Sequence, residues 1–143
     1  MGALEYARRK LPMPHALIVD DDASSVMLLS RLLEGRGFTT RTAGSIAEAR
    51  DSLDPYPDSC LVDLKLPDGD GTVLLDEGLG AQTDFIVITG NASVESSVDA
   101  LRRGARDYLT KPIDRHKLER ALARFMSPSA RQAASPSSLI GES

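Results

Sequence analysis

Residues 15–22 read HALIVDDD: four apolar side chains, Ala16, Leu17, Ile18 and Val19, run without a break into Asp20, Asp21 and Asp22. A strand with one wet face alternates polar and apolar residues, and a strand covered on both faces does not. The run therefore predicts a buried parallel strand whose carboxyl end opens into an acidic loop. The pattern returns twice: Cys60, Leu61 and Val62 lead into Asp63, and Phe85, Ile86, Val87 and Ile88 lead into Thr89 and Gly90. Shorter strands are predicted over 38–42 and 107–110. Helical spacing fills the intervals. Val26, Leu29, Leu32 and Leu33 form one apolar stripe that stops near Gly35 and Gly37. Ser45 and Glu48 have the spacing of a capping box before a helix carrying Ile46, Ala49 and Leu53. The tight loop LPDGDG, residues 66–71, precedes a short helix through Val73, Leu74 and Leu75. A fourth helix runs from about Val94 to Arg103 and closes at Gly104, and Leu118, Ala121, Leu122 and Phe125 mark the face of a fifth. Alternating strands and helices of this kind predict an α/β fold, a doubly wound five-stranded parallel sheet with helices on both faces.

The 143 residues allow one domain. The single cysteine, Cys60, excludes an internal disulfide and reads as a small core side chain. A formal net charge of −4 argues against a chain that wraps nucleic acid unaided. Apolar runs fall far short of the roughly 20 residues that span a bilayer, and the first residues lack the apolar block of a secretory signal, so the expected location is the cytoplasm. Residues 1–14, with Arg8, Arg9, Lys10, Pro12 and Pro14, read as a short arm. Residues 127–138, SPSARQAASPSS, have linker composition. The folded domain is expected over 15–126.

In an open parallel sheet, ligands collect beyond the carboxyl ends of the strands. Asp20 and Asp21, Asp63, Thr89 and Lys111 each close a different predicted strand, so these polar groups converge on one rim. Three carboxylates brought together repel, and a divalent cation relieves that cost; hard oxygen donors favour Mg2+ over zinc. An aspartate forms an acyl phosphate when the incoming group is held in line and its charge is neutralised. Mg2+ and the Lys111 ammonium supply such a clamp around Asp63, and the Thr89 hydroxyl can donate to a phosphoryl oxygen. Blander roles compete: a solvated loop for Asp20, Asp21 and Asp22, a turn residue at Asp63, a helix cap at Thr89, a surface charge at Lys111 and half-buried packing for Tyr108. His15, expected just before the first strand, and His116 read as surface or boundary residues, and Asp68 and Asp70 as parts of their loop.

The motifs VDDD at 19–22, LVDLKLPDGDG at 61–71, ITG at 88–90 and GARDYLTKP at 104–112 together resemble the receiver domain of bacterial two-component response regulators, over residues 15–126. The resemblance implies the flavodoxin-like strand order 2-1-3-4-5 and a domain that takes a phosphoryl group from a sensor histidine kinase onto Asp63. It implies Asp20 and Asp21 organising Mg2+ together with Asp63 and the backbone carbonyl of Lys65, Lys111 binding phosphate, and Thr89 with Tyr108 as a switch pair. Such a domain assists its own phosphorylation and dephosphorylation and is not a turnover enzyme in the ordinary sense. The last residues, SLIGES at 138–143, resemble the opening of the central ATPase domain of enhancer-binding transcriptional activators of the nitrogen-regulation type. That implies an AAA+ ATPase and a helix-turn-helix DNA-binding domain in the full-length chain, a phosphorylation-dependent homodimer as one output, and no nucleic-acid or membrane contact by this fragment itself. Two other readings remain: a phosphate-independent pseudo-receiver, and a free-standing Mg2+ phosphohydrolase. The latter more often carries a second carboxylate where this chain has Lys65.

Overall fold

The computed structural model describes residues 14–81, 83–91 and 93–123; residues 1–13 of the expected arm, the linker and Phe125 lie outside them. Five parallel strands, β1 (His15–Val19), β2 (Thr39–Ala43), β3 (Ser59–Asp63), β4 (Asp84–Thr89) and β5 (Asp107–Thr110), lie side by side in the order β2-β1-β3-β4-β5. Their connections carry α1 (Ala23–Glu34), α2 (Ile46–Asp51), α3 (Val73–Asp76) and α4 (Val94–Arg102), and α5 (Arg115–Leu122) follows β5. This is the strand order that the resemblance implied.

The unbroken apolar runs are buried on both sides, and the two-residue period of a strand sorts them between two cores. Leu17, Val19, Cys60, Val62, Phe85 and Val87 face α2, α3 and α4, where they meet Ile46, Ala49, Leu74, Leu75 and Ala100. Ala16, Ile18, Leu61, Ile86 and Ile88 face α1 and α5 and meet Leu29, Leu33, Leu118, Ala121 and Leu122. Cys60 is fully buried, as expected, and burial pushes its thiol pKa up, which keeps it protonated and unreactive.

Several element ends differ from the sequence reading, each for a local reason. The second strand starts at Thr39 because Phe38 spends its N–H on the Leu33 carbonyl, 3.0 Å away, as Gly37 does on Glu34. This is a helix stop that needs the positive φ of +93° at Gly37. Ser45 caps α2 by accepting from the Glu48 N–H at 3.1 Å, but the Glu48 carboxylate accepts from Gly44, one residue ahead of the capping-box position. That helix closes at Asp51; Leu53 lies past it, before the Pro55 and Pro57 segment, and packs on the core from there. His15 is the first residue of β1, not a residue ahead of it, and is half-buried with Nδ1 3.2 Å from the Thr39 hydroxyl. His116 is exposed on α5.

The loop after β3 is more ordered than a tight turn. Lys65–Leu66 and Gly69–Asp70 form a small antiparallel ladder, and Gly71 donates to the Leu64 carbonyl at 2.8 Å. Gly71 is pressed against β3: a Cβ there would overlap the Asp63 carbonyl oxygen and come within 2.6 Å of Val62 Cγ1. Backbone and a fully buried valine cannot step aside. Gly71→Ala is therefore expected to lower the unfolding free energy by about 2–3 kcal/mol, read as a fall in the urea midpoint at unchanged slope.

Candidate functional site

Strand register builds the site. Val19 pairs with Val62, which sets Asp20 beside Asp63, and Thr89 pairs with Thr110, which sets Lys111 just past the edge. Lys111 returns its N–H to the Thr89 carbonyl at 2.8 Å, and its bond to Pro112 is cis. Every predicted strand end therefore arrives at the same rim.

Asp20 and Asp63 are buried, whereas Asp21 is exposed at the mouth. Ligating oxygens of these three carboxylates lie within 4.8 Å of one another. The Lys111 ammonium bridges the two buried members, 2.9 Å from Asp20 Oδ2 and 3.0 Å from Asp63 Oδ2. The remaining oxygens take backbone donors: Asp20 Oδ1 from the Asp22 N–H at 2.9 Å, and Asp63 Oδ1 from the Lys65 N–H at 3.2 Å. Asp22 has a different task. Its carboxylate caps α1, accepting from the Ser24 N–H and the Ser25 hydroxyl, and those bonds hold its pKa below the ordinary carboxylate range.

Burial pushes the Asp20 pKa up, against the Asp22 N–H and Lys111, which stabilise its anion. Burial also disfavours the Lys111 cation, but hydrogen bonds and charge from Asp20 and Asp63 outweigh it and leave the lysine above its usual pKa. One ammonium among three carboxylates leaves the cluster short of positive charge. A hard divalent cation with oxygen ligands fits that donor set, and no histidine or cysteine stands in it.

Thr89 is buried, and its hydroxyl oxygen accepts from the Asn91 N–H at 3.3 Å. Tyr108 is half-buried, and its hydroxyl lies 2.7 Å from Ser96 Oγ on α4. The two expected switch residues thus each have a partner other than the other. Lys65 stands beside the cluster with an exposed side chain.

Supports that sequence reasoning missed surround the cluster. Asp68 does more than form a loop: it reaches α2 and accepts from the N–H groups of Ile46 at 2.9 Å and Ala47 at 3.0 Å, which lowers its pKa. Asp70 accepts from the Thr72 hydroxyl at 2.7 Å, and Arg103 donates to that hydroxyl at 2.9 Å while pairing with Asp76 and Asp99. Arg103 therefore ties the segment after Asp63 to the C-terminal end of α4. Only the density of Asp and Gly in 68–71 hinted at these roles.

A doubly wound sheet that gathers three aspartates and a bridging lysine at its carboxyl edge has the acidic cluster typical of the phosphorylation site of receiver domains. The family model described as the response regulator receiver domain matches residues 16–123, and the chain belongs to that family, whose members accept phosphate on an aspartate of this cluster. It is similar to the response regulator protein PilR of Pseudomonas aeruginosa, 39% identical over 134 residues that cover 90% of this chain and 30% of PilR. The transcriptional regulatory protein ZraR of Escherichia coli is 36% identical over 132 residues, covering 87% of this chain and 30% of ZraR. The chain thus spans under a third of either relative. Among solved structures, a Burkholderia pseudomallei response regulator with a phosphorylated aspartic acid, a calcium ion and citrate superimposes with a TM-score of 0.69 at 30% identity, covering 85% of this chain and 71% of that one.

Lys111 gives this site its pH signature. A group whose pKa is raised on folding contributes stability that is complete below its unfolded pKa and is lost as pH rises through the folded one. In Lys111→Met that alkaline loss should vanish, and stability at neutral pH should drop by about 2 kcal/mol, because two buried carboxylates lose their shared cation. Millimolar Mg2+ should then raise the melting temperature more in the variant than in the native chain, since metal no longer competes with the ammonium. Thermal melts with and without Mg2+ at neutral and alkaline pH check both effects.

Proposed function

We propose that Asp63 is the phosphoacceptor of this receiver and that Mg2+ is its cation, held by Asp20, Asp21, Asp63 and the backbone carbonyl of Lys65. The observation that carries this reading is the Lys111 ammonium bridging Asp20 and Asp63 beside a third carboxylate. Bound Mg2+ supplies neutralising charge to the phosphoryl oxygens. An oxygen of Asp63 attacks phosphorus as the nitrogen–phosphorus bond of a sensor kinase's phosphohistidine breaks, and the departing imidazole nitrogen keeps the electron pair and takes up a proton. Lys111 remains within reach of the new phosphoryl oxygens and offsets their charge. Packing of β3 against its neighbours and against Gly71 fixes the direction from which Asp63 meets its donor.

The product is a dianion at the carboxyl end of β3, beside the end of β4. Thr89 accepts from Asn91 through its oxygen, which leaves its hydrogen to donate to that dianion, and movement of the hydroxyl makes room for the Tyr108 ring. A bias of about 2 to 3 kcal/mol changes a two-state ratio roughly 30- to 150-fold, enough to act as a signal. The surface formed by α4, β5 and α5 then changes shape and passes the signal on, by homodimerisation or by releasing a contact with the output module.

The wider setting is the front end of an enhancer-binding activator: a cytoplasmic transcriptional regulator with an AAA+ ATPase and a DNA-binding domain beyond residue 143. Similarity to PilR and ZraR and the SLIGES ending support it. Among the described residues no helix is long and apolar enough to cross a membrane. The face of α1 that would meet the kinase carries Ser24, Ser25, Leu28 and Arg31, of which Ser25 is half-buried and the others exposed.

Intact mass after incubation with Mg2+ and acetyl phosphate tests the core of this reading. One base-labile phosphoryl adduct is expected on the native chain and none on Asp63→Asn. An unmodified native chain, under conditions that phosphorylate a control receiver, would instead favour a phosphate-independent interaction module.

A further inference from the structure

The first turn of α4 is closed by hydroxyls. Ser93 Oγ accepts from the Ser96 N–H at 3.0 Å, and Ser96 Oγ returns the contact by accepting from the Ser93 N–H at 3.2 Å. Ser96 Oγ also lies 3.2 Å from the Ser93 carbonyl, 3.1 Å from Ser93 Oγ and 2.7 Å from the Tyr108 hydroxyl. A serine hydroxyl has one hydrogen and two lone pairs. The Ser93 carbonyl can only accept and already takes the Ser97 N–H at 3.0 Å, so the Ser96 hydrogen can serve either that carbonyl or the Tyr108 oxygen. With the hydrogen on the carbonyl, three donors, the Ser93 N–H, the Ser93 hydroxyl and the Tyr108 hydroxyl, compete for two lone pairs; with it on Tyr108, the two Ser93 donors fill both. In either arrangement the Ser93 groups can satisfy Ser96 once Tyr108 leaves, so its departure orphans neither serine.

We infer that Ser96 is a positioning residue for the switch: it holds the Tyr108 ring against α4, away from Thr89, and so sets the fraction of unphosphorylated receiver that has already switched. The inference rests on the reading of Thr89 and Tyr108 as a switch pair. Three features support it. The 2.7 Å contact joins β5 to α4 across twelve residues of sequence and is the shortest of the four described for Ser96 Oγ. The ring packs beside the core shared with α2, α3 and α4, so its hydroxyl meets Ser96 with its body already held. Inward rotation of the ring must break this bond, and the Ser93 groups that can satisfy Ser96 in its place make the break reversible. A hydrogen bond of ordinary net strength corresponds to about a two- to tenfold change in such an equilibrium.

Ser96→Ala keeps the Ser93 cap on the residue-96 N–H and so retains α4. It is compared with Ser96→Thr and Tyr108→Phe in the whole chain by titration with beryllofluoride in Mg2+. The Tyr108 ring signals, assigned by their loss in Tyr108→Phe, are followed by NMR. In Ser96→Ala the ring signals should lie displaced toward their beryllofluoride-saturated positions before any mimic is added, with mimic affinity about two- to tenfold tighter. Ser96→Thr, which keeps the hydroxyl, should hold native signals and affinity, and Ser96→Ala in the Tyr108→Phe background should leave affinity unchanged. Native signals and affinity in Ser96→Ala overturn the inference. So does an equal affinity change with and without the tyrosine hydroxyl, which would make Ser96 a helix cap and nothing more. A native chain that fails to bind the mimic, or binds it with no movement of the ring signals, removes the phosphoacceptor or switch-pair reading and this inference with it.

Discussion

Three carboxylates held within 4.8 Å of one another repel, and the fold must oppose that repulsion before the site can do anything. The Lys111 ammonium does so by touching both buried members of the cluster. Its compensation is partial, one ammonium among three carboxylates, and the negative charge left over suits a divalent cation, whose charge would in turn offset that of an incoming phosphoryl group. Burial raises the cost of the charge on Asp20, and the backbone N–H groups of Asp22 and Lys65 take up the oxygens that the lysine does not reach. The electrostatic deficit is thus a property of the arrangement, and the rest of the molecule holds it in place.

Parallel pairing supplies the placement. In a parallel sheet all strands end at the same edge, so residues distant in sequence are delivered to one line when the registers match. The two cores fix those registers, since a slip by one residue would turn Leu17, Val62 and Val87 from one face to the other. Below the acids, the segment 65–72 serves as a brace: Gly71 lies on the β3 backbone, Asp68 caps α2, and Asp70 with Thr72 reaches Arg103 at the end of α4. Helix α4 is therefore held at its C-terminal end by Arg103 and at its N-terminal end by the Ser96–Tyr108 contact. The first is an ion-pair network with several partners and the second a single hydroxyl contact, which places the weaker hold next to Thr89.

Much of this was legible in the sequence because its signals are local. Continuous apolar runs mark strands covered on both faces, and the residue that ends each run marks the rim, so Asp20, Asp63, Thr89 and Lys111 could be assigned to one edge before any contact was known. Helix stops at Gly37 and Gly104 and the cap at Ser45 were equally local. Where a choice depended on direction, the chain alone left it open. Asp20, Asp21 and Asp22 are chemically identical neighbours, yet Asp20 turns to the lysine, Asp21 to the mouth and Asp22 to the helix it caps, because α1 begins at Ala23 and claims the nearest carboxylate.

The amino-acid sequence by itself determined the alternation of strands and helices, the burial of the central three strands and the residue types available at their ends, because hydrophobic period and capping act within a few residues. Tertiary structure alone decided the reach of Asp68 to α2, the close approach of Gly71 to Asp63 and the bond from Tyr108 to Ser96. These join residues between eight and twenty-two positions apart, and their existence depends on how the layers stack, which no local pattern encodes.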